Sequence, residues 1–164
     1  MTRIGLISDT HGFVDERILN FFKDCDEVWH AGDIGNFETA RKFEDFKPFK
    51  AVYGNIDNYE VRQLYPKINR FRCEDVDVMM THIGGYPKRY EPLIKEILKA
   101  DKPKLFIAGH SHILKVIYDK DMNLLFMNPG AAGNSGFHQV KTAIRFTIDG
   151  EQIKDVEIWE AKRG

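Results

Sequence analysis

The stretch Ile4-Gly5-Leu6-Ile7-Ser8-Asp9-Thr10-His11-Gly12 (IGLISDTHG, residues 4–12) decides the fold. Its opening run Ile4, Gly5, Leu6, Ile7 has the pattern of a strand buried on both faces. Asp9 and His11 then appear where such a strand leaves the core. A carboxylate and an imidazole so close together are of little use for packing and well suited to holding a metal.

The same ending recurs along the chain. EVWHA runs into Gly32-Asp33, FKAVY into Gly54-Asn55, VDVMM into Thr81-His82 and KLFIA into Gly109-His110-Ser111-His112. Each apolar run delivers Asp, Asn or His at its C-terminal end. Ligands of open α/β sheets bind outside the carboxyl ends of the strands, so these scattered residues can converge. As a set, Asp9, His11, Asp33, Asn55, His82, His110 and His112 are too many for one tetrahedral zinc. They suit two divalent cations that share a carboxylate. Mixed oxygen and imidazole ligation points to manganese, iron, zinc, nickel or cobalt without choosing among them; manganese is the expected metal, with magnesium a further alternative.

The bulk properties exclude several function classes. A chain of 164 residues fits one domain, 1–164, with a substantial core. Lys and Arg total 24 against 25 Asp and Glu, a balance that gives no support for a nucleic-acid or membrane partner. The two cysteines, Cys25 and Cys73, form no CxxC motif and no framework of pairs, which fits a reducing compartment. No secretory signal precedes the first strand, and no apolar stretch approaches the ~20 residues of a membrane span. A cytoplasmic protein is expected. Its oligomeric state is left open.

Helical spacing marks residues 15–23, with Ile18, Leu19 and Phe22 on one face, and 36–46, with Asn36 as N-cap. A third helix is expected at 91–100, with Pro92 in its first turn. Strand candidates lie at 27–31, 49–53, 76–81 and 104–108. The first half therefore alternates strand and helix, the pattern of a mostly parallel sheet. Residues 113–119, 123–128, 140–148 and 153–160 read as consecutive strands joined by turns such as Asp149-Gly150, which suggests antiparallel pairing.

The five elements DTH, GD, GN, TH and GHSH, in this order and each after an apolar run, resemble the calcineurin-like metallophosphoesterase superfamily. The chain length and the sequence Gly54-Asn55-Ile56-Asp57 are most similar to its small YfcE-type phosphodiesterase branch. The resemblance implies an α/β fold, a four-layer α-β-β-α sandwich of two mixed β-sheets flanked by helices. It implies one metal on Asp9, His11, Asp33 and His112, and a second on Asp33, Asn55, His82 and His110, with Asp33 bridging. Asp33, Asn55 and His82 become the candidate catalytic residues. The implied activity is a phosphodiesterase on a small phosphate ester, acting through the dinuclear centre and a metal-bridging hydroxide. A phosphomonoesterase on the same site, and a non-catalytic scaffold like a retromer subunit, are the alternatives.

Two divalent cations, two carboxylates and one hydroxide leave a site of about +1, suited to a phosphate monoanion. Many superfamily members carry a histidine directly after the GN pair. Here Ile56 stands there, which argues against strong protonation of the leaving group.

Other residues take quieter readings. His30 sits inside EVWHA and is read as structural, in packing or behind the ligands. His138 is read as an exposed loop histidine, with proton donation as its alternative. Asp57 is read either as supporting a ligand histidine or as a turn residue with Asn58. Met79, Met80, Phe21, Phe22, Phe43 and Phe46 are read as core, and Glu74, Asp75 and Asp77 as a solvated turn. Lys88 and Arg89 are read as solvated surface, with substrate charge as the alternative.

Overall fold

The computed structural model describes residues 1–163. Two five-stranded sheets stack face to face. The first is built from β1 (Thr2–Ile7), β2 (Glu27–His30), β3 (Phe49–Ala51), β11 (Val140–Asp149) and β12 (Gln152–Lys162), in the order β12-β11-β1-β2-β3. The second takes β4 (Ile68–Cys73), β5 (Val76–Thr81), β8 (Leu105–Ile107), β9 (Leu114–Asp119) and β10 (Leu124–Pro129), in the order β4-β5-β8-β10-β9. A small hairpin, β6 (Gly85–Tyr86) and β7 (Arg89–Tyr90), stands apart.

Strand periodicity explains the layers. In β1, Ile4 and Leu6 point between the sheets, where they meet Trp29, Val78, Met80, Ile107 and Ile144. Ile7 points the other way, onto α1 (Glu16–Phe21) and α2 (Phe37–Phe46) through Ile18, Phe22 and Phe43. In the second sheet, Met79, Phe106 and Phe126 face Ile94 and Leu98 of α4 (Pro92–Ala100). Both faces of both sheets are therefore covered, which makes the central strands continuous apolar runs. The result is the four-layer α-β-β-α arrangement of two mixed sheets.

The helix starts have their caps. Asp15 accepts from the Arg17 N–H, Asn36 from the Thr39 N–H, and Glu91 from the Leu93 and Ile94 N–H groups with Pro92 next in line. Capping by Asp15 moves the first helix start to Glu16.

Several expectations need correcting. Helix α3 (Tyr59–Leu64), strand β4 and the β6–β7 hairpin were not foreseen. The second half is not one antiparallel run. Strands β9 and β10 pair antiparallel, as do β11 and β12, but β10 pairs β8 in parallel, and β10 and β11 lie in different sheets. Glu74 is not a free solvated carboxylate: it accepts from Thr2 Oγ1 at 2.6 Å and from the Gly150 N–H at 2.7 Å. It thereby ties the β4–β5 turn to the first strand and to the β11–β12 turn. Asp77 accepts from Nε and Nη2 along one edge of the Arg70 guanidinium at 2.7 Å each.

Candidate metal centre

Five loops leave the C-terminal ends of β1, β2, β3, β5 and β8 and carry the candidate ligands. Among the described residues, two groups bring ligand atoms within 4.8 Å of one another: Asp9, His11 and His112, and Asp33, His82 and His110. The groups touch. Asp33 Oδ2 lies 3.1 Å from His82 Nε2 and 3.5 Å from His11 Nε2, so this carboxylate stands between them. Asp9 Oδ1 lies 3.2 Å from His112 Nε2, 3.7 Å from His82 Nε2 and 3.8 Å from His11 Nε2. Asn55 follows β3, in the loop that closes onto Asp33. The Asn55 side chain is exposed and borders, with His82, a cavity of about 460 Å³.

The backbone explains how strands deliver ligands inward. Asp9, His11, Asp33, His110 and His112 all have φ between +49° and +70°. Non-glycine residues reach this left-handed region at a cost, and it is typical of functional sites. Here it turns each side chain back over the strand ends. At Gly54 the constraint is space: a Cβ there would fall 2.0 Å from Asp33 Oδ1, so glycine lets the β3 loop close onto Asp33.

Hydrogen bonds around the centre fix which ligand atoms face inward. Asp9 Oδ2 accepts from Ser8 Oγ at 2.6 Å and from the His110 N–H at 3.1 Å, leaving Oδ1 to the centre. Asp33 Oδ1 accepts from the Ile56 N–H at 3.0 Å, leaving Oδ2. His82 Nδ1 donates to the Ala31 carbonyl at 2.7 Å, which places the lone pair on Nε2. Asp9 Oδ1, His11 Nε2 and His82 Nε2 are buried and have no hydrogen-bond partner. Leaving such atoms unsatisfied costs about 1–3 kcal/mol each. Three unsatisfied atoms that converge from two loops, all of them metal-ligand types, fit a cation between them.

The electrostatics agree. Burial opposes ionisation of Asp9, but the His11 and His112 imidazoles beside it outweigh it and hold the carboxyl far below the usual range. Burial likewise opposes Asp33, and His82 outweighs it and lowers the carboxyl. The Asp9 carboxylate beside it raises His11. His82 is pushed down by burial, yet Asp33 and Asp9 bring it above its ordinary value. The two carboxylates are thus held ionised, and the socket is anionic.

Residues outside the seven are wired to the same loops. His30 is fully buried against Phe43 and Phe49. Its Nδ1 accepts from the Gly32 N–H at 3.1 Å, and its Nε2 donates to Thr10 Oγ1 at 2.9 Å, since that hydroxyl gives its own proton to the Ile34 carbonyl. Burial drops the His30 imidazole to about 3, so it is neutral. Asp57 touches no histidine and does more than shape a turn. It accepts from the Ile34, Gly35 and Gly54 N–H groups at 3.1, 2.8 and 2.8 Å, while Asn58 caps α3. His138 is half-buried beside His112, not a free loop histidine. Lys88 and Arg89 border a cleft with Lys95, Lys99 and Asp121 that none of the seven ligand residues lines.

A model of the calcineurin-like phosphoesterase superfamily domain matches residues 2–151. A probable metallophosphoesterase of Methanothermobacter thermautotrophicus is 28% identical over 160 residues, spanning 94% of this chain and 90% of that one. A structure described as a novel archaeal phosphodiesterase superposes with a TM-score of 0.76 at 18% identity, covering 96% of this chain and 99% of that one. Wild-type Vps29 of Entamoeba histolytica, complexed with zinc, superposes with a TM-score of 0.76 at 15% identity, covering 98% of each chain.

Proposed function

The chain belongs to the calcineurin-like phosphoesterase superfamily, and on that premise we propose that it hydrolyses phosphodiesters of small molecules at a site holding two divalent cations. The observation that carries this reading is the convergence of three unpartnered buried ligand atoms, Asp9 Oδ1, His11 Nε2 and His82 Nε2, around the Asp33 carboxylate. One cation would sit on Asp9, His11, Asp33 and His112, the other on Asp33, Asn55, His82 and His110. Bound there, the pair would supply an activated water and neutralise charge on the phosphoryl oxygens.

The chain's own residues supply the rest. Asp9 and Asp33 hold the negative charge that selects cations. The His82 Nδ1–H bond to Ala31 keeps its Nε2 unprotonated and aimed inward. The cavity beside Asn55 and His82 mixes apolar Tyr53 and Leu93 with the cations Arg62 and Lys67. It has room for the second organic group that distinguishes a diester from a monoester. Ile56, exposed directly after Asn55, offers no proton to a leaving group. Substrates whose leaving groups need little protonation should therefore react best. The archaeal phosphodiesterase that shares the fold supports the same choice.

The test is kcat/KM on matched aryl diester and monoester substrates with saturating Mn²⁺. A preference for the diester is expected; a strong preference for the monoester makes the protein a phosphomonoesterase on the same site. The fold shared with Vps29 favours a second reading, a scaffold without turnover. Metal uptake without hydrolysis of either ester would decide for it.

A further inference from the structure

We propose that His138 is a positioning residue that holds His112 in the tautomer presenting Nε2 to Asp9, and so completes the first cation site. The inference rests on the metal-binding reading of that site. It follows from a chain of hydrogen bonds in which each proton has one place to be. His138 Nε2 lies 2.7 Å from the Gly133 carbonyl. A carbonyl only accepts, so Nε2 carries the proton and Nδ1 of the neutral ring has the lone pair. That Nδ1 is 3.2 Å from His112 Nδ1, which must therefore be the protonated nitrogen of His112. The lone pair of His112 is then on Nε2, 3.2 Å from Asp9 Oδ1.

This leaves a nitrogen lone pair facing a carboxylate oxygen that has no hydrogen-bond partner of its own. A cation between the two resolves the arrangement, and the same pattern of an outer group fixing a ligand histidine is general in metal sites.

The segment that carries His138 is built onto His112. Gly136 has φ +122°, and a Cβ there would lie 2.4 Å from His112 Cε1, so only glycine lets the loop lie against that ring. The two imidazoles meet edge to face, with centroids 5.0 Å apart. From the far side, Arg163 donates to the Gly136 carbonyl and, at 3.2 Å, to the His138 carbonyl. The chain beyond β12 thereby ties the loop down. A surface loop with no task would not need glycine fitted to a ligand ring, both ring nitrogens of His138 engaged and an arginine behind them.

The test compares His138→Leu, which removes donor and acceptor, with His138→Gln, which keeps one of each. Binding of zinc ions alone is measured by calorimetry on the intact protein, and histidine tautomers are read by long-range ¹H–¹⁵N correlation before metal is added. The wild type should take up two zinc ions and show His112 protonated on Nδ1. His138→Leu should lose about 10–100-fold in affinity at one site only, with the His112 proton redistributed to Nε2. His138→Gln should recover most of the affinity and the tautomer. His138→Leu binding both ions like the wild type, or wild-type His112 protonated on Nε2, overturns the role of His138. A folded wild type that takes up no zinc overturns the site reading itself, and with it the proposal.

Discussion

Asp57→Asn isolates the brace behind the centre. The carboxylate is buried and receives three backbone N–H groups: Oδ2 from Ile34 at 3.1 Å and Gly54 at 2.8 Å, Oδ1 from Gly35 at 2.8 Å. Ile34 and Gly35 follow Asp33, and Gly54 precedes Asn55, so one side chain joins the loops of two ligands. Asparagine keeps the volume and one accepting oxygen. Placed at the Oδ2 position, that oxygen still serves Ile34 and Gly54, but without charge. The amide nitrogen then faces the Gly35 N–H, donor against donor. Hydrogen bonds to a charged group contribute about 1.5–3 kcal/mol each, so one lost and two weakened bonds should cost about 2–4 kcal/mol. In a domain of this size that lowers the melting temperature by about 4–16 °C. The assay is thermal and urea unfolding of metal-free protein followed by circular dichroism. Zinc calorimetry on the folded variant should show weakened binding at the site that uses Asn55. A variant that melts within about 1 °C of the wild type would refute the reasoning, because three buried N–H groups would then have been satisfied without the carboxylate.

Two further outcomes follow from the same geometry. Asp33→Asn removes the charge standing between the two ligand groups, so zinc stoichiometry should fall from two to one and turnover by more than about 100-fold, with the fold intact; full activity sinks the shared-carboxylate mechanism. His110 is exposed with φ +70°, so His110→Gly should leave the metal-free protein about 1 kcal/mol more stable than His110→Ala, although both lose the same ligand. Equal urea midpoints for the two variants would show that the left-handed conformation carries no strain there.

The central strands were legible because their faces are covered, so β1, β2, β5 and β8 read as mainly apolar runs. Each break in such a run falls at a strand's end, which is where the ligand candidates stand. The elements that escaped lack this contrast. Helix α3 buries only Val61, too little for a periodic stripe. Strand β4 lies at a sheet edge and carries Arg70 and Arg72 among its few apolar residues. The parallel pairing of β10 with β8 is a long-range event that no local pattern encodes. Asp57 escaped for another reason: its partners are backbone N–H groups, and these carry no residue identity. His138 lies far from His112 in sequence, and the one local hint was Gly136, which lets its loop fold against a ring.

Five of the nine described non-glycine residues with positive φ are candidate ligands, and the fold must hold them there. Each such residue costs about 1–2 kcal/mol relative to its ordinary conformation. The restraint is visible in the backbone bonds that run on past the sheet edges. The Asp9 and His11 N–H groups donate to the Gly32 and Asp33 carbonyls at 2.9 and 3.0 Å. Gly109 donates to the His82 carbonyl at 3.0 Å, and Gly133 to the Asp9 carbonyl at 3.1 Å. Every loop of the centre except that of Asn55 is thus bonded, main chain to main chain, to another loop of the centre; Asp57 and the Ile56 N–H bond to Asp33 do the same for the last one. The ligand atoms are consequently placed by the scaffold before any cation arrives. This is the reverse of a zinc finger, where the ion itself organises the chain and its binding free energy is folding free energy. At the proposed site little of that free energy would go into ordering residues. Cations bound as proposed would relieve the cost of the unsatisfied ligand atoms already confined with two carboxylates in one buried socket.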